Sequence, residues 1–294
     1  MREAVAAVAP ARAGGRIQLS PEVGSVSEPT WCVGTAVVDR SLVVKFAWSA
    51  PAAERVAREA EVLAVLARAA PDLPVPQLEG TSADPVAFAT RFVGGKPLRL
   101  DAAHVPEIAF ELGAFLDGLH RAPVLDEMRR AVRGLVEPNP QATTEAIRER
   151  LPRFLDGRRA ALLPAWCDWV DGILRRGSAR TVFVHGDLHA FNQVWSPAGS
   201  LRLVADFEVA GPGDPEYDFR YFPQMSATLD FVHALQRSYG HPVDVSRVLA
   251  WSIRTALGDA LWRSEAGIAL PFGNTPASYV DDIARKLRLA GAYG

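Results

Sequence analysis

The polar side chains best suited to catalysis follow two apolar runs in the second half of the chain. The run 182–184 is followed closely by Asp187 and Asn192, and the run 201–205 ends at Asp206. If these runs are strands lying side by side, as we expect, the three side chains meet at one rim. A carboxylate can accept a proton from a hydroxyl group, and Mg²⁺ prefers oxygen ligands. The pattern therefore predicts a magnesium-dependent reaction of a hydroxyl group.

The spacing within this cluster is typical of phosphoryl transfer. His185, Asp187 and Asn192 fit the pattern H-x-D-x-x-x-x-N, in which the Asp orients the attacking hydroxyl and the Asn binds metal. Asp206 follows at a loop length suited to a second metal ligand. Polar residues at strand ends are also compatible with helix caps and turns. The combination of residue types favours the catalytic interpretation.

A second motif extends this pattern. From Asp206 the chain reads D-F-E-V-A-G-P-G-D-P-E-Y-D-F. Together with residues 185–192, this stretch resembles the aminoglycoside phosphotransferase family, which also includes sugar, choline and amino-acid kinases. The resemblance covers about residues 31–222. It implies an α+β, protein-kinase-like fold with two lobes, a β-rich N-terminal lobe with one αC-like helix and a mainly helical C-terminal lobe.

The resemblance also implies roles for individual residues. Asp187 resembles the catalytic base, and Asn192 and Asp206 resemble the Mg²⁺ ligands. His185 resembles a residue that braces the catalytic loop, and Asp218 resembles one that fixes that loop. Hydrogen bonding within the core is the alternative role for His185 and Asp218.

A lysine and a glutamate in the first third of the chain are candidate nucleotide-binding residues. Almost all basic residues here are arginine, and Lys45 ends a short apolar run. In kinases a lysine at this position pairs with the α- and β-phosphates. A strand lysine whose amine reaches solvent is the alternative. Glu59 lies in a predicted helix and resembles the family's partner for that lysine, with Glu54 and Glu61 as rival candidates.

The remaining nucleotide contacts are expected in two loops. The phosphate-covering loop should lie at 24–30, where the chain lacks a G-x-G-x-x-G pattern. The base should lie against a linker near Thr90 and Val93, bound through main-chain groups. These features predict ATP or GTP as the phosphate donor without distinguishing the two.

The elements that must position these residues change character along the chain. Short β-branched runs indicate strands at 16–47 and again before Gly94-Gly95, with an amphipathic helix between them. Helical periodicity dominates afterwards. We therefore expect a nucleotide-binding lobe at 1–93 and a catalytic and acceptor-binding lobe at 94–294. The first fifteen residues are expected to be a frayed leader.

The acceptor is expected to be a small molecule. No long activation segment closed by A-P-E follows Asp206, so a protein substrate is not indicated. The acceptor pocket should come from the C-terminal helices, where the candidate residues are Glu216, Asp230, Trp251, Asp259 and Trp262. Solvated helix faces are the alternative for the carboxylates, and core packing is the alternative for both tryptophans.

Composition narrows the remaining possibilities. The formal net charge of −2 argues against a nucleic-acid partner, and no apolar run is long enough to cross a bilayer. Cys32 and Cys167 match no metal or redox spacing, so both are predicted to be buried in a protein of the reducing cytoplasm. No obligatory protein partner is evident.

Three functional hypotheses remain open. The first is an antibiotic kinase acting on an aminoglycoside, nucleoside, peptide or macrolide. The second is a metabolite kinase acting on choline, homoserine or a sugar. The third is a non-catalytic binding module with a kinase fold.

Overall fold

The computed structural model describes residues 1–19, 33–98, 105–140, 142–225 and 228–290. The chain divides into two compact units, and each is discontinuous in sequence. The first consists of Met1–Arg99, Gly118–Glu137 and His185–Pro212, and the second of Leu100–Asp117, Pro138–Val184 and Gly213–Gly294.

An antiparallel sheet of five strands forms the centre of the first unit. The strands are β1 (Ile17–Leu19), β2 (Val33–Val38), β3 (Leu42–Ala47), β4 (Leu78–Ala83) and β5 (Val86–Arg91). They lie in the order β1-β2-β3-β5-β4. Burial alternates along β2, as expected for a strand with one face toward a core. The α+β fold class is confirmed by this sheet and by the helical C-terminal part, whereas β4 was not predicted.

Four further short strands and eleven helices are present among the described residues. The strands are β6 (Val182–Val184), β7 (Gln193–Trp195), β8 (Leu201–Val204) and β9 (Gly211–Gly213). The helices are α1 (Arg2–Val8), α2 (Ala50–Ala69), α3 (Val105–Leu119), α4 (Ala122–Ala131), α5 (Thr144–Arg150), α6 (Gly157–Ala160), α7 (Leu163–Leu174), α8 (Pro215–Asp218), α9 (Asp230–Ser238), α10 (Val245–Ala266) and α11 (Pro276–Leu289). No helix of the described residues combines the length and apolar character that a bilayer crossing requires.

The N-terminal segment packs against the sheet. The side chains of Ala4, Val5 and Val8 on α1 are buried with apolar residues of β2, β3 and β5. A Cβ atom at Gly80 on β4 would lie only 2.2 Å from the carbonyl oxygen of Val8, so only glycine fits this close approach. The expectation of a frayed leader is therefore wrong for residues 2–8, because their small apolar residues cover the sheet.

Helix α2 carries charged residues on its buried face. Ser49 caps its first turn by accepting a hydrogen bond from Ala52 N at 3.2 Å. The buried face includes Val56, Val62 and Leu66, but also Arg55 and Glu59. Because charged residues are seldom fully buried without partners, this face of α2 indicates a functional site.

The second unit has its own apolar core. Helices α5, α7, α10 and α11 contribute the residues of this core, among them Trp166 and Leu257. Cys167 is buried there, and burial raises the pKa of its thiol to about 11. The prediction of a buried cysteine is confirmed for Cys167, whereas Cys32 lies outside the described residues.

Candidate active site

A β-hairpin brings Asn192 close to Asp206. Strand β7 pairs antiparallel with β8, with Gln193 opposite Val204. One residue further out, the carbonyl oxygen of Asn192 accepts a hydrogen bond from Ala205 N at 2.8 Å. The expected strand at 201–205 is therefore present, but its partner is β7 rather than the strand 182–184. The three-residue β7 was too short to be predicted.

The catalytic loop is held by a network centred on Asp187. The Nδ2 atom of Asn192 donates to the Asp187 carbonyl oxygen at 2.9 Å and lies 3.4 Å from Asp187 Oδ2. Asp187 N donates to Nδ1 of His185 at 3.1 Å. His185 is fully buried, and its Nε2 lies 2.9 Å from the carbonyl oxygen of Ala205. His185 therefore links the catalytic loop to the end of β8 and carries its proton on Nε2.

A second histidine touches the candidate base. Nδ1 of His189 accepts a hydrogen bond from Phe191 N at 3.2 Å. This contact places the proton of a neutral His189 on Nε2. That Nε2 atom lies 3.4 Å from Asp187 Oδ2, so His189 helps to orient the carboxylate.

Lys45 lies inside a cage of three carboxylates. Strand β3 places Lys45 opposite Thr35 on β2 and Phe88 on β5. Its Nζ atom donates to Glu59 Oε2 at 2.6 Å and to Asp206 Oδ1 at 2.7 Å. Glu208 Oε2 lies 3.1 Å from the same nitrogen. The positions predicted for nucleotide binding thus lie next to a position predicted for metal binding.

Helix α2 selects one glutamate for this cage. Glu59 is 2% exposed, whereas Glu54 and Glu61 are exposed on the same helix. The second oxygen of Glu59, Oε1, accepts a hydrogen bond from Phe207 N at 3.0 Å. Glu59 therefore contacts both Lys45 and the segment that carries Asp206.

The pKa values of the cage follow from its burial and its charges. Burial raises the pKa of Glu59 to about 7, with Lys45 opposing and the neighbouring carboxylates adding to this rise. Burial alone would lower the pKa of Lys45, but the three carboxylates outweigh it and hold that pKa well above its ordinary value. Burial also opposes ionisation of Asp206, yet Lys45 keeps the pKa of Asp206 below its ordinary value.

The backbone at Asp206 is strained. Its φ angle is +72°, in the left-handed region that non-glycine residues seldom adopt. Such strain costs on the order of 1 kcal/mol or more and clusters at functional sites. The conformation turns the chain sharply after β8, and the carboxylate of Asp206 reaches Lys45 from there.

The oxygen donors at this position suit a Mg²⁺ ion. Asp206 is ionised, and Asn192 turns its Nδ2 toward Asp187, which leaves its Oδ1 on the other side of the amide. Within the described residues, oxygens of Glu59, Asp206 and Glu208 lie within 4.8 Å of one another. A set of carboxylate and amide oxygens is what Mg²⁺ requires.

Two charged residues of this site were not predicted from the sequence. Arg55 forms an ion pair with Glu208, and both side chains are largely buried. Glu208 lies in the D-F-E motif, and Arg55 lies one helical turn before Glu59 on the same face of α2. That helical spacing is the only sequence signal for Arg55, because its partner is 153 residues away.

The proposed base-binding linker is anchored to the hairpin. Thr90 is buried on β5, and Val93 lies just beyond this strand. Lys96 exchanges two main-chain hydrogen bonds with Trp195 on β7, at 3.0 and 2.8 Å. A Cβ atom at Gly95 would approach the Trp195 carbonyl oxygen to 2.6 Å. The expected phosphate-covering loop at 24–30 lies outside the described residues.

Two of the acceptor candidates belong to a buried network in the second unit. Asp214 caps α8 by accepting from Glu216 N at 3.0 Å, and it also accepts from Trp251 Nε1 at 2.9 Å and from Arg247. Burial raises the pKa of Glu216 to about 8, and the adjacent Asp214 adds to this rise. Asp218 is fully buried at the end of α8. These contacts explain the first Asp of the G-D-P-x-x-D motif, because Asp214 joins α8 to Arg247 and Trp251 on α10.

The other acceptor candidates lie apart from that network. Asp230 is exposed at the start of α9 and accepts from the Thr228 hydroxyl at 2.7 Å. Asp259 pairs with Arg263 at 2.8 Å. Trp262 is 41% exposed, so the core alternative fits Trp251 but is wrong for Trp262. Within the described part of the second unit, the five candidates do not form one cluster.

Comparison with known proteins places these features in context. A model of a family described as "Phosphotransferase enzyme family" matches residues 21–252. No curated protein sequence is similar enough to count as a match. The solved structures with a similar fold include aminoglycoside 2'-phosphotransferase-IIIa bound to GDP, with a TM-score of 0.69 and 18% identity over 95% of this chain and 93% of that one.

Two further structures have the same fold. Macrolide 2'-phosphotransferase MphH from Brachybacterium faecium is 20% identical, with a TM-score of 0.59 over 94% of this chain and 92% of that one. Choline kinase LicA from Streptococcus pneumoniae is 17% identical, with a TM-score of 0.57 over 89% of this chain and 90% of that one. The predicted resemblance to a family of small-molecule kinases is confirmed.

Proposed function

Because this chain belongs to the phosphotransferase enzyme family, we propose that it transfers the terminal phosphoryl group of a nucleoside triphosphate to a small-molecule hydroxyl, with Asp187 as base. The observation that carries this proposal is a continuous hydrogen-bonded connection. It runs from Asp187 through Asn192 and the β7–β8 hairpin to Asp206 and Lys45. A nucleoside triphosphate substrate also implies the cytoplasm as the compartment.

The chemistry assigned to the chain is in-line displacement. The acceptor oxygen forms a bond to the γ-phosphorus while the bond from that phosphorus to the β,γ-bridging oxygen breaks, and Asp187 takes the hydroxyl proton. Asn192 and His189 hold the Asp187 carboxylate in place. Lys45, anchored by Glu59, orients the α- and β-phosphates.

A divalent cation completes this arrangement. Asn192 and Asp206 are the residues that would hold Mg²⁺, which supplies charge neutralisation on the phosphate oxygens when bound. The main contribution of the protein is then positioning, since transfer through a loose transition state needs little covalent assistance.

For the acceptor, we infer an antibiotic, so that phosphorylation masks a hydroxyl and confers resistance. Two of the three structurally similar proteins described above are named for aminoglycoside and macrolide substrates. The similarity to a choline kinase supports a metabolite kinase as the second candidate. Acceptor residues for either class are sought first at Asp230, Asp259 and Trp262, and only then at Glu216 and Trp251, which are buried beside Asp214.

The test is nucleotide consumption with Mg²⁺ across aminoglycosides, macrolides, nucleoside and peptide antibiotics, choline, homoserine and sugars, with ATP and GTP assayed separately. Asp187→Asn serves as the blank, and we expect it to lose about 10²-fold or more in turnover while still binding nucleotide. Asp126→Asn, an exposed aspartate on α4, is the matched control and should retain wild-type turnover.

Each result of this panel has a distinct meaning. Turnover with one antibiotic class supports the resistance function. Turnover only with a metabolite would instead support the metabolite kinase. Full turnover by Asp187→Asn would show that Asp187 is not the base. Bound nucleotide without any turnover would favour the non-catalytic binding module.

A further inference from the structure

The mechanism described above leaves one buried ion pair in the first unit without a role. Arg55 on α2 pairs with Glu208, and the two side chains are 9% and 12% exposed. Removing charged groups from water is costly, so a buried pair of this kind contributes little net stability by itself. Glu208 lies two residues after Asp206, which suggests that the ion pair helps to position the residues of the site.

Arg55 reduces the excess of negative charge around Lys45. Glu59, Asp206 and Glu208 supply three negative charges, and Lys45 and Arg55 supply two positive ones. Glu208 is shared between the two cations, with Oε1 on Arg55 and Oε2 at 3.1 Å from Lys45. If Arg55 were absent, Lys45 alone would face all three carboxylates.

The same pair connects helix α2 to the segment after Asp206. Arg55 and Glu59 lie one helical turn apart, so both reach this segment from one face of α2. Glu59 accepts from Phe207 N, and Arg58 Nη2 approaches the Glu208 carbonyl oxygen at 3.4 Å. Helix α2 thus contacts Phe207 and Glu208 through the side chains of three of its residues.

We propose that Arg55 is a positioning residue for the nucleotide: it holds and neutralises Glu208, so that Lys45 stays available to phosphate. This inference rests on the proposed function. In the wild-type protein, Glu208 is engaged by Arg55 and competes weakly for Lys45. Without Arg55, Glu208 competes with the incoming phosphates for the Lys45 ammonium group.

The proposal predicts that a second substitution rescues the first. Arg55→Met should weaken the binding of fluorescent mant-ATP and mant-GTP with Mg²⁺ by about tenfold, a loss typical of coupled charged neighbours. Glu208→Gln, which removes the carboxylate that Arg55 holds, is the reference with which the double variant is compared. The double variant Arg55→Met/Glu208→Gln should return to within about threefold of Glu208→Gln, because the competing charge is gone.

Matched variants separate this role from a purely structural one. Arg130→Met removes an exposed ion pair with Glu127 on α4 and should not change nucleotide binding. If Arg55→Met does not fold, as judged by circular dichroism, Arg55→Lys replaces it. Lysine keeps the positive charge of arginine, but its side chain is shorter. We therefore expect a smaller loss of nucleotide affinity, which Glu208→Gln again relieves.

Three outcomes overturn the proposal. Unchanged binding by Arg55→Met would show that Arg55 does not position Lys45. If the double variant binds nucleotide as weakly as Arg55→Met does, the ion pair has only a structural role. If Glu208→Gln loses Mg²⁺-dependent nucleotide binding, Glu208 is a metal ligand instead. Failure of the proposed function is distinguishable, since the wild type would then bind neither nucleotide or Asp187→Asn would turn over normally.

Discussion

Replacing Lys45 by Met tests the carboxylate cage through stability rather than activity. Methionine is nearly the same shape as lysine but removes the cation that contacts Glu59, Asp206 and Glu208. Removing one partner from a buried ion pair costs about 3–5 kcal/mol, because the remaining charge is uncompensated. We expect a loss of this size near about pH 8.

The loss should shrink as the pH falls, because Glu59 can take up a proton. Burial already raises its pKa to about 7 in the wild type, and without Lys45 this pKa rises further. A raised carboxyl pKa contributes stability below the unfolded-state pKa, and this stability disappears as the pH climbs through the folded-state pKa. Between about pH 6 and about pH 8 the wild type loses roughly 1.4 kcal/mol through Glu59, and the variant loses more, up to about 2.7 kcal/mol if Glu59 stays protonated throughout.

The difference between the two proteins should therefore grow by up to roughly 1.4 kcal/mol across that interval. Urea unfolding of both proteins at the two pH values measures it, and Lys45→Met/Glu59→Gln serves as the control, whose own stability should no longer change with pH through residue 59. A loss below about 1 kcal/mol, or one that does not change with pH, would refute the interpretation of Lys45 as the counter-charge of a buried cage.

Two predictions concern the buried network of the second unit. Arg247→Met leaves the Asp214 carboxylate buried and should reduce the free energy of unfolding by about 3–5 kcal/mol in urea, against at most about 1 kcal/mol for the exposed pair removed by Arg148→Met. Equal losses would contradict this. Glu216→Gln removes a carboxyl group whose pKa is raised to about 8, mainly by burial. Wild-type stability should decline from about pH 4.5 to about pH 8, by up to about 1.4 kcal/mol per pH unit more than in the variant, and parallel pH curves would contradict the shift.

The loop at 185–192 was predicted to be catalytic because phosphoryl transfer restricts both residue type and spacing. A base, an amide ligand and a carboxylate ligand leave few alternatives at Asp187, Asn192 and Asp206. Lys45 was singled out for a related reason, since it is a rare lysine within an apolar strand. Roles assigned to these residues remain predictions, whereas the family and the fold class are confirmed.

Features that depend on distant partners could not be predicted in this way. Strand β4 reads L-E-G-T-S-A, with weak strand propensity, and it forms because β5 pairs along its length. Helix α1 is short and rich in alanine, and the sheet beneath it stabilises its helical form. The Arg55–Glu208 pair joins residues far apart in the chain, and no local pattern records such a partner.

The left-handed backbone at Asp206 costs conformational energy, although the side chain of this residue is a proposed metal ligand. Glycine adopts this conformation without strain, but it would remove a carboxylate whose ionised form the Lys45 ion pair stabilises in the folded state. The strain and the ion pair therefore have opposite effects on folding stability, and the proposed role of Asp206 in turnover is a separate reason to retain the carboxylate. A screen for melting temperature alone does not test that proposed role, so directed evolution at residue 206 also needs an assay of turnover in each round.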